Sequence, residues 1–182
     1  MSVFVQIADI QLSIMDDLSF AKAFANELEA ESPASLKCLE RIPPELFDYK
    51  PHEKSMNMGY LALLVAEIPL WITHIITKSE IDFATFSHIQ AKTTQQLADH
   101  FNKNVAEAKA ALLQIKDGDL SQTFYLKANG QELMSTPKKE SIESTINHLV
   151  HHRGQLTVYM RLNDIPVPSI YGPSADDKNW QS

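Results

Sequence analysis

Apolar residues recur at helical spacing between Asp16 and about Ile42, where Leu18, Ala21, Ala25, Leu28, Leu36 and Leu39 mark one face. This predicts a first helix, with Ser32-Pro33 as a break or kink that could divide it in two. From Pro43-Pro44 to Ser55 the chain is punctuated by prolines and reads as a loop, after which Ser55 or Asn57 can cap a second helix running to about Lys78. Pro69 predicts a bend in it. A third helix begins at Thr93 or Thr94, carries Leu97, Phe101, Val105, Ala108, Leu112 and Ile115, and ends at about Lys116 before Asp117-Gly118-Asp119.

The pattern then changes. Thr123–Leu126 and Glu132–Met134 flank Asn129-Gly130, the favoured dipeptide of a tight hairpin turn, so a short β-hairpin is expected. A fourth helix follows Thr136-Pro137 and runs to about Asn163, with Ile142, Ile146, Leu149, Leu156 and Met160 along one side. The remaining tail is rich in proline and should be extended. Four helices without an internal repeat predict an all-α four-helix bundle with a short hairpin before the last helix, as a single domain over residues 1–182.

Met58–Ile76 is apolar nearly all round and close to the length that spans a bilayer. Glu67 near its centre, Pro69 after it and the lack of a flanking Lys/Arg cluster argue instead for the central helix of a bundle. No membrane partner is therefore expected. The first residues lack the basic stretch of a secretory signal, which gives a cytoplasmic expectation. A net charge of −7, spread along the chain, offers no footprint for a phosphate backbone, so nucleic acid is not an expected partner. The single cysteine, Cys38, excludes an intramolecular disulfide and a cysteine-rich zinc module.

Candidate chemistry gathers on the fourth helix. His148 and His152 stand at i and i+4, one above the other, a spacing that lets two neutral imidazoles face one divalent ion such as zinc or nickel. The plain alternative is a surface or hydrogen-bonded core pair. His151 points elsewhere on the helix. Gln155 shares the face of His148 and could orient a water or substrate, and Tyr159 extends the same stripe or is simply a core tyrosine with a satisfied hydroxyl.

The run from Asn147 to Asp177, NHLVHHRGQLTVYMRLNDIPVPSIYGPSADD, resembles the C-terminal signature of the DinB/YfiT-like family. Leu39–Trp71, LERIPPELFDYKPHEKSMNMGYLALLVAEIPLW, is similar to that family's loop and second helix, and together the two runs cover roughly a third of the chain. The resemblance implies a four-helix bundle, often a homodimer, in which three histidines hold a divalent metal. Two of them map onto His148 and His152. The third comes from the second helix, and in the register set by Gly59, Leu61, Glu67 and Pro69 its position is Leu64; sliding the register to recruit His74 breaks all four matches.

Leucine cannot ligate a metal, and two imidazoles alone make a weak divalent site. Glu67, close to the face of Leu64, could complete a two-histidine, one-carboxylate site, or could pair elsewhere; His52 in the proline-rich loop is a weaker candidate. Characterised relatives of the family include metal-dependent enzymes acting on low-molecular-weight thiols. The resemblance thus implies a thiol-transferase type of enzyme, with the metal acidifying a bound thiol or water and Leu64, Gln155 and Tyr159 lining the pocket. The competing expectation is a metal-free bundle that binds a small molecule or serves as a dimeric scaffold.

Overall fold

A computed structural model describes residues 16–178. The N-terminal stretch read above for a leader, and the last four residues of the tail, lie outside the described residues. The first helix, α1, spans Asp17–Glu40 and starts where Asp16 Oδ1 accepts the amide hydrogen of Ser19 at 2.8 Å. It runs unbroken through Pro33, so the break that Ser32-Pro33 could have made is not there. Ser32 and Ser35 flank the proline and turn their hydroxyls onto the carbonyls of Leu28 and Glu31. Packing of Leu28, Cys38 and Leu39 into the core then outweighs the one backbone bond the proline removes.

A 3-10 turn at Pro44–Leu46 follows. The second helix, α2, spans Met58–Thr77 and is capped by Asn57, whose Oδ1 accepts from the Tyr60 amide at 2.7 Å. It too is continuous, through Pro69. Asn104, buried on the next helix, donates to the Ala66 carbonyl at 2.9 Å in the turn that this proline disturbs. The third helix, α3, spans Thr94–Leu112 behind a capping box formed by Thr93 and Gln96. Beyond Leu112 the chain tightens into turns rather than reaching Lys116 as a helix. The last helix, α4, spans Lys138–Leu162.

The expected hairpin belongs to a three-stranded sheet. A short strand, β1 (Glu80–Asp82), runs parallel to β2 (Thr123–Ala128), which pairs antiparallel with β3 (Gln131–Pro137). Asn129 and Gly130 both take positive φ, as a type I′ turn requires, and Asp82 accepts from both of their amides at 3.0 and 2.6 Å. The carboxylate of β1 thereby fixes the turn between the other two strands.

In the bundle, α2 packs against α3 and α4, α1 packs against the same two helices, and α1 and α2 lie across the diagonal with little contact. The apolar surface that gave α2 the look of a membrane span, including Leu61, Ala62, Val65, Ile68 and Ile72, is buried in the core that these helices share. On the opposite side of the bundle, Arg153 of α4 is 1% exposed and reaches α1, where it pairs with Glu31 at 2.6 Å and donates to Ser35 Oγ at 3.2 Å. It also donates to the hydroxyl of Tyr171 at 2.8 Å, which fastens the irregular tail to the bundle.

Candidate functional site

The helical spacing of His148 and His152 does bring their rings together: the two Nε2 atoms are 2.7 Å apart and the ring centroids 4.4 Å. His152 Nδ1 lies 2.7 Å from Gln155 Oε1. An amide oxygen only accepts, so this contact places a proton on His152 Nδ1 and leaves its Nε2 with a lone pair. His148 must then donate through Nε2, and its own Nδ1 is an acceptor with no partner among the described residues. Gln155 is thus the residue that sets the tautomer of both rings.

Both imidazoles favour the neutral form. Burial, then the neighbouring His152 and His151, push His148 down from 6.5 to about 4. His152 is also lowered, chiefly by burial, with the Gln155 contact opposing. Trp71 of α2 packs edge-on against His148 with ring centroids 5.6 Å apart.

His148 is one wall of an open groove of about 640 Å³ between the sheet and α4. Trp71 and Ile75 line it from α2, and Phe124, Leu126 and Met134 from the sheet. From α4 come Glu140, Ser144 and His151 besides His148. A largely apolar cleft with a few polar groups is the usual form of a small-molecule site.

The remaining candidates are distributed differently. Tyr159 is buried and donates to the Met56 carbonyl at 3.1 Å, so it is a structural tyrosine joining α4 to the start of α2, and it is not part of the groove. Leu64 is half-buried on α2 and does not line the groove either. His52 is exposed in its loop and accepts from the Lys54 amide at 3.1 Å.

Glu67 is not brought to the histidine pair. Its carboxylate, 1% exposed, meets His88 Nδ1 at 2.5 Å, accepts the Ile89 amide hydrogen at 3.2 Å and has His100 Nε2 at 3.6 Å. The partners of Glu67 come from the segment after β1 and from α3, and sequence spacing gave no sign of either. A buried carboxylate demands compensating donors, and that demand was the one available signal. Among the described residues no group of three or more His, Cys, Asp or Glu side chains is arranged to hold a metal ion. The donor set on α4 is two imidazoles already bonded to each other, which does not fit a resident divalent ion.

The chain as a whole is similar to known proteins. The chain is 28% identical over 160 residues to the uncharacterized protein YrdA of Bacillus subtilis, covering 85% of this chain and 89% of that one. In structure it is similar to a DinB-like protein of Bacillus cereus, with a TM-score of 0.63, 22% identity and coverage of 82% of this chain and 97% of the other. A member of the same family from Exiguobacterium sibiricum gives a TM-score of 0.61 at 17% identity, covering 80% and 92%. At these identities the structural likeness speaks for the fold alone. The model of the DinB family matches residues 15–181, nearly the whole chain, and the protein belongs to the DinB family.

Proposed function

We propose that this DinB-family bundle binds a small, largely apolar molecule in the groove between α4 and the sheet, anchored by a hydrogen bond to His148 and without a resident metal. The observation that carries the reading is the closed chain Gln155–His152–His148. It occupies the two Nε2 atoms that a shared ion would need, and it leaves an acceptor, His148 Nδ1, on a residue that lines an apolar cleft. Trp71, Phe124 and Leu126 supply the surface over which ligand burial is favourable.

A metal-dependent thiol transferase using zinc or nickel is the competing reading, and it needs a third donor that neither Leu64 nor Glu67 supplies. One experiment separates the two. Tag-free protein is loaded with zinc or nickel, dialysed and analysed for metal, and binding of 2-naphthol, an aromatic with one hydroxyl donor, is followed by fluorescence. We expect no stoichiometric metal, saturable binding of 2-naphthol, and affinity weaker by roughly three- to tenfold in His148→Phe, the loss of one hydrogen bond. Binding of 2-methylnaphthalene should be equal in the two proteins. Stoichiometric metal that disappears in His148→Ala would overturn the metal-free reading and turn attention to thiol transfer.

A further inference from the structure

The charges around the groove narrow the class of ligand. This step rests on the reading that the groove binds a small molecule, and it adds what that molecule must carry. Among the described residues no lysine or arginine lines the groove, and the one charged side chain that does is Glu140. Glu140 makes no ion pair among the described residues. It sits in the first turn of α4, where the helix dipole favours negative charge.

The two buried cations of α4 are engaged elsewhere. Lys138 donates to the Ile76 carbonyl and to Gln122 Oε1, both at 3.1 Å, and Arg153 is paired with Glu31 on the other side of the helix. Neither lines the groove. Of the hydroxyls that line the groove, Ser141 is paired with Thr136 and Thr145 donates to the Ser141 carbonyl, while Ser144 is a neutral group and a weaker acceptor than a carboxylate. Glu140 is thus the strongest acceptor left at its end of the groove. Aromatic surface from Trp71 and Phe124 follows along the cleft, and a net charge of −7 adds a field that favours cations throughout.

We propose that the groove selects hydrophobic amines, cationic at neutral pH, with the ammonium at the Glu140 end and the apolar body between Trp71 and the sheet, and that it discriminates against anions of the same shape. Glu140 and His148 lie eight residues apart on α4, or about 12 Å at 1.5 Å per residue, so one elongated ligand can span from the carboxylate toward the imidazole.

The test uses three probes of one ring system on the full chain at low salt: 2-naphthylmethylamine, 2-naphthol and 2-naphthoate. An exposed carboxylate and a cation–π contact each contribute roughly two- to fivefold, so the amine should bind about tenfold tighter than the carboxylate. High salt should compress that ratio. Glu140→Gln should lower it by roughly two- to fivefold, with 2-naphthol as the neutral reference in both proteins. If naphthoate binds as well as the amine, or if Glu140→Gln does not move their ratio while 2-naphthol still binds, the charge assignment falls and the groove remains a neutral ligand site. If none of the three binds, both this inference and the ligand-binding reading are overturned.

Discussion

His88 Nδ1 and Glu67 Oε2 meet at 2.5 Å, joining an irregular segment between β1 and α3 to the middle of the most buried helix. The same carboxylate accepts the Ile89 amide hydrogen at 3.2 Å, so one side chain fixes both a ring and a backbone group of that segment. Glu67 is a clasp for the segment that closes over α2. Its partners also account for its burial, because a carboxylate 1% exposed without donors would be strongly unfavourable.

Replacing Glu67 should therefore act on stability first. Glu67→Leu leaves the Ile89 amide and the His88 ring without their acceptor, and it should destabilise the fold by about 2–4 kcal/mol in urea unfolding. Glu67→Gln keeps an acceptor and should lose less than half as much. Hydrogen exchange at the Ile89 amide should speed up in the leucine variant far more than exchange in α4. Equal losses in the two variants would contradict the clasp.

The histidine pair makes a prediction with a definite sign. The folded value for His148, about 4, lies below its ordinary 6.5, so its contribution to stability is fully present above pH 6.5 and is lost as the pH falls through 4. NMR of labelled histidine should show the His148 ring neutral at pH 6, with titration only near pH 4. His148→Phe should flatten the loss of stability between pH 6.5 and 4. A midpoint near 6.5 in the folded protein would mean that the ring is solvated rather than packed against Trp71 and His152.

These features differ in how far the sequence reveals them, and the difference is physical. Asp16, Asn57 and Thr93 announce their helices because a cap is a local interaction, three residues from its partner. Asn129-Gly130 announces its turn for the same reason, and the pairing of His148 with His152 follows from one turn of helix. The strand Glu80–Asp82 is too short to show a period, and its parallel partner lies more than forty residues away. The partners of Glu67 stand 21 and 33 residues further along, at His88 in the segment after β1 and at His100 on α3, and only the assembled bundle brings them to it. Pro33 shows the reverse case, a local signal for a break that tertiary packing overrides. The groove is illegible for the same reason as the clasp, since three elements build it.

Leu64 can be tested by placing there the histidine that the resemblance in sequence implies. Helices α2 and α4 run antiparallel, as Trp71 meets His148 at one end and Tyr159 reaches Met56 at the other. Interpolating between these contacts places Leu64 level with Arg153, next to His152. Leu64→His should then offer a third imidazole to the pair, and the variant should retain about one equivalent of zinc after loading and dialysis where the natural chain retains none. Absence of metal in the variant would show that this face of α2 does not converge on His148 and His152.

Arg153 supports the last prediction, because its ion pair is almost wholly inside the protein. The guanidinium meets Glu31 Oε2 at 2.6 Å and the Glu31 carbonyl at 3.0 Å, while Tyr171 donates to the same carboxylate at 3.0 Å. Removing one partner leaves a charge of the pair unmatched, so Arg153→Met should destabilise by about 3–5 kcal/mol. Removing both with apolar groups of similar size abolishes the unmatched charge, so Arg153→Met with Glu31→Leu should regain most of that loss. Both proteins lose the Arg153 donor to Tyr171 and the double variant also loses its Glu31 acceptor, so limited proteolysis should cut the tail near Tyr171 faster in each of them and fastest in the double variant, whatever their melting temperatures. If the double variant is as unstable as the single one, the pair stabilises the packing of α1 on α4 directly. If it recovers while the tail still loosens, the main task of the pair is to position the tail.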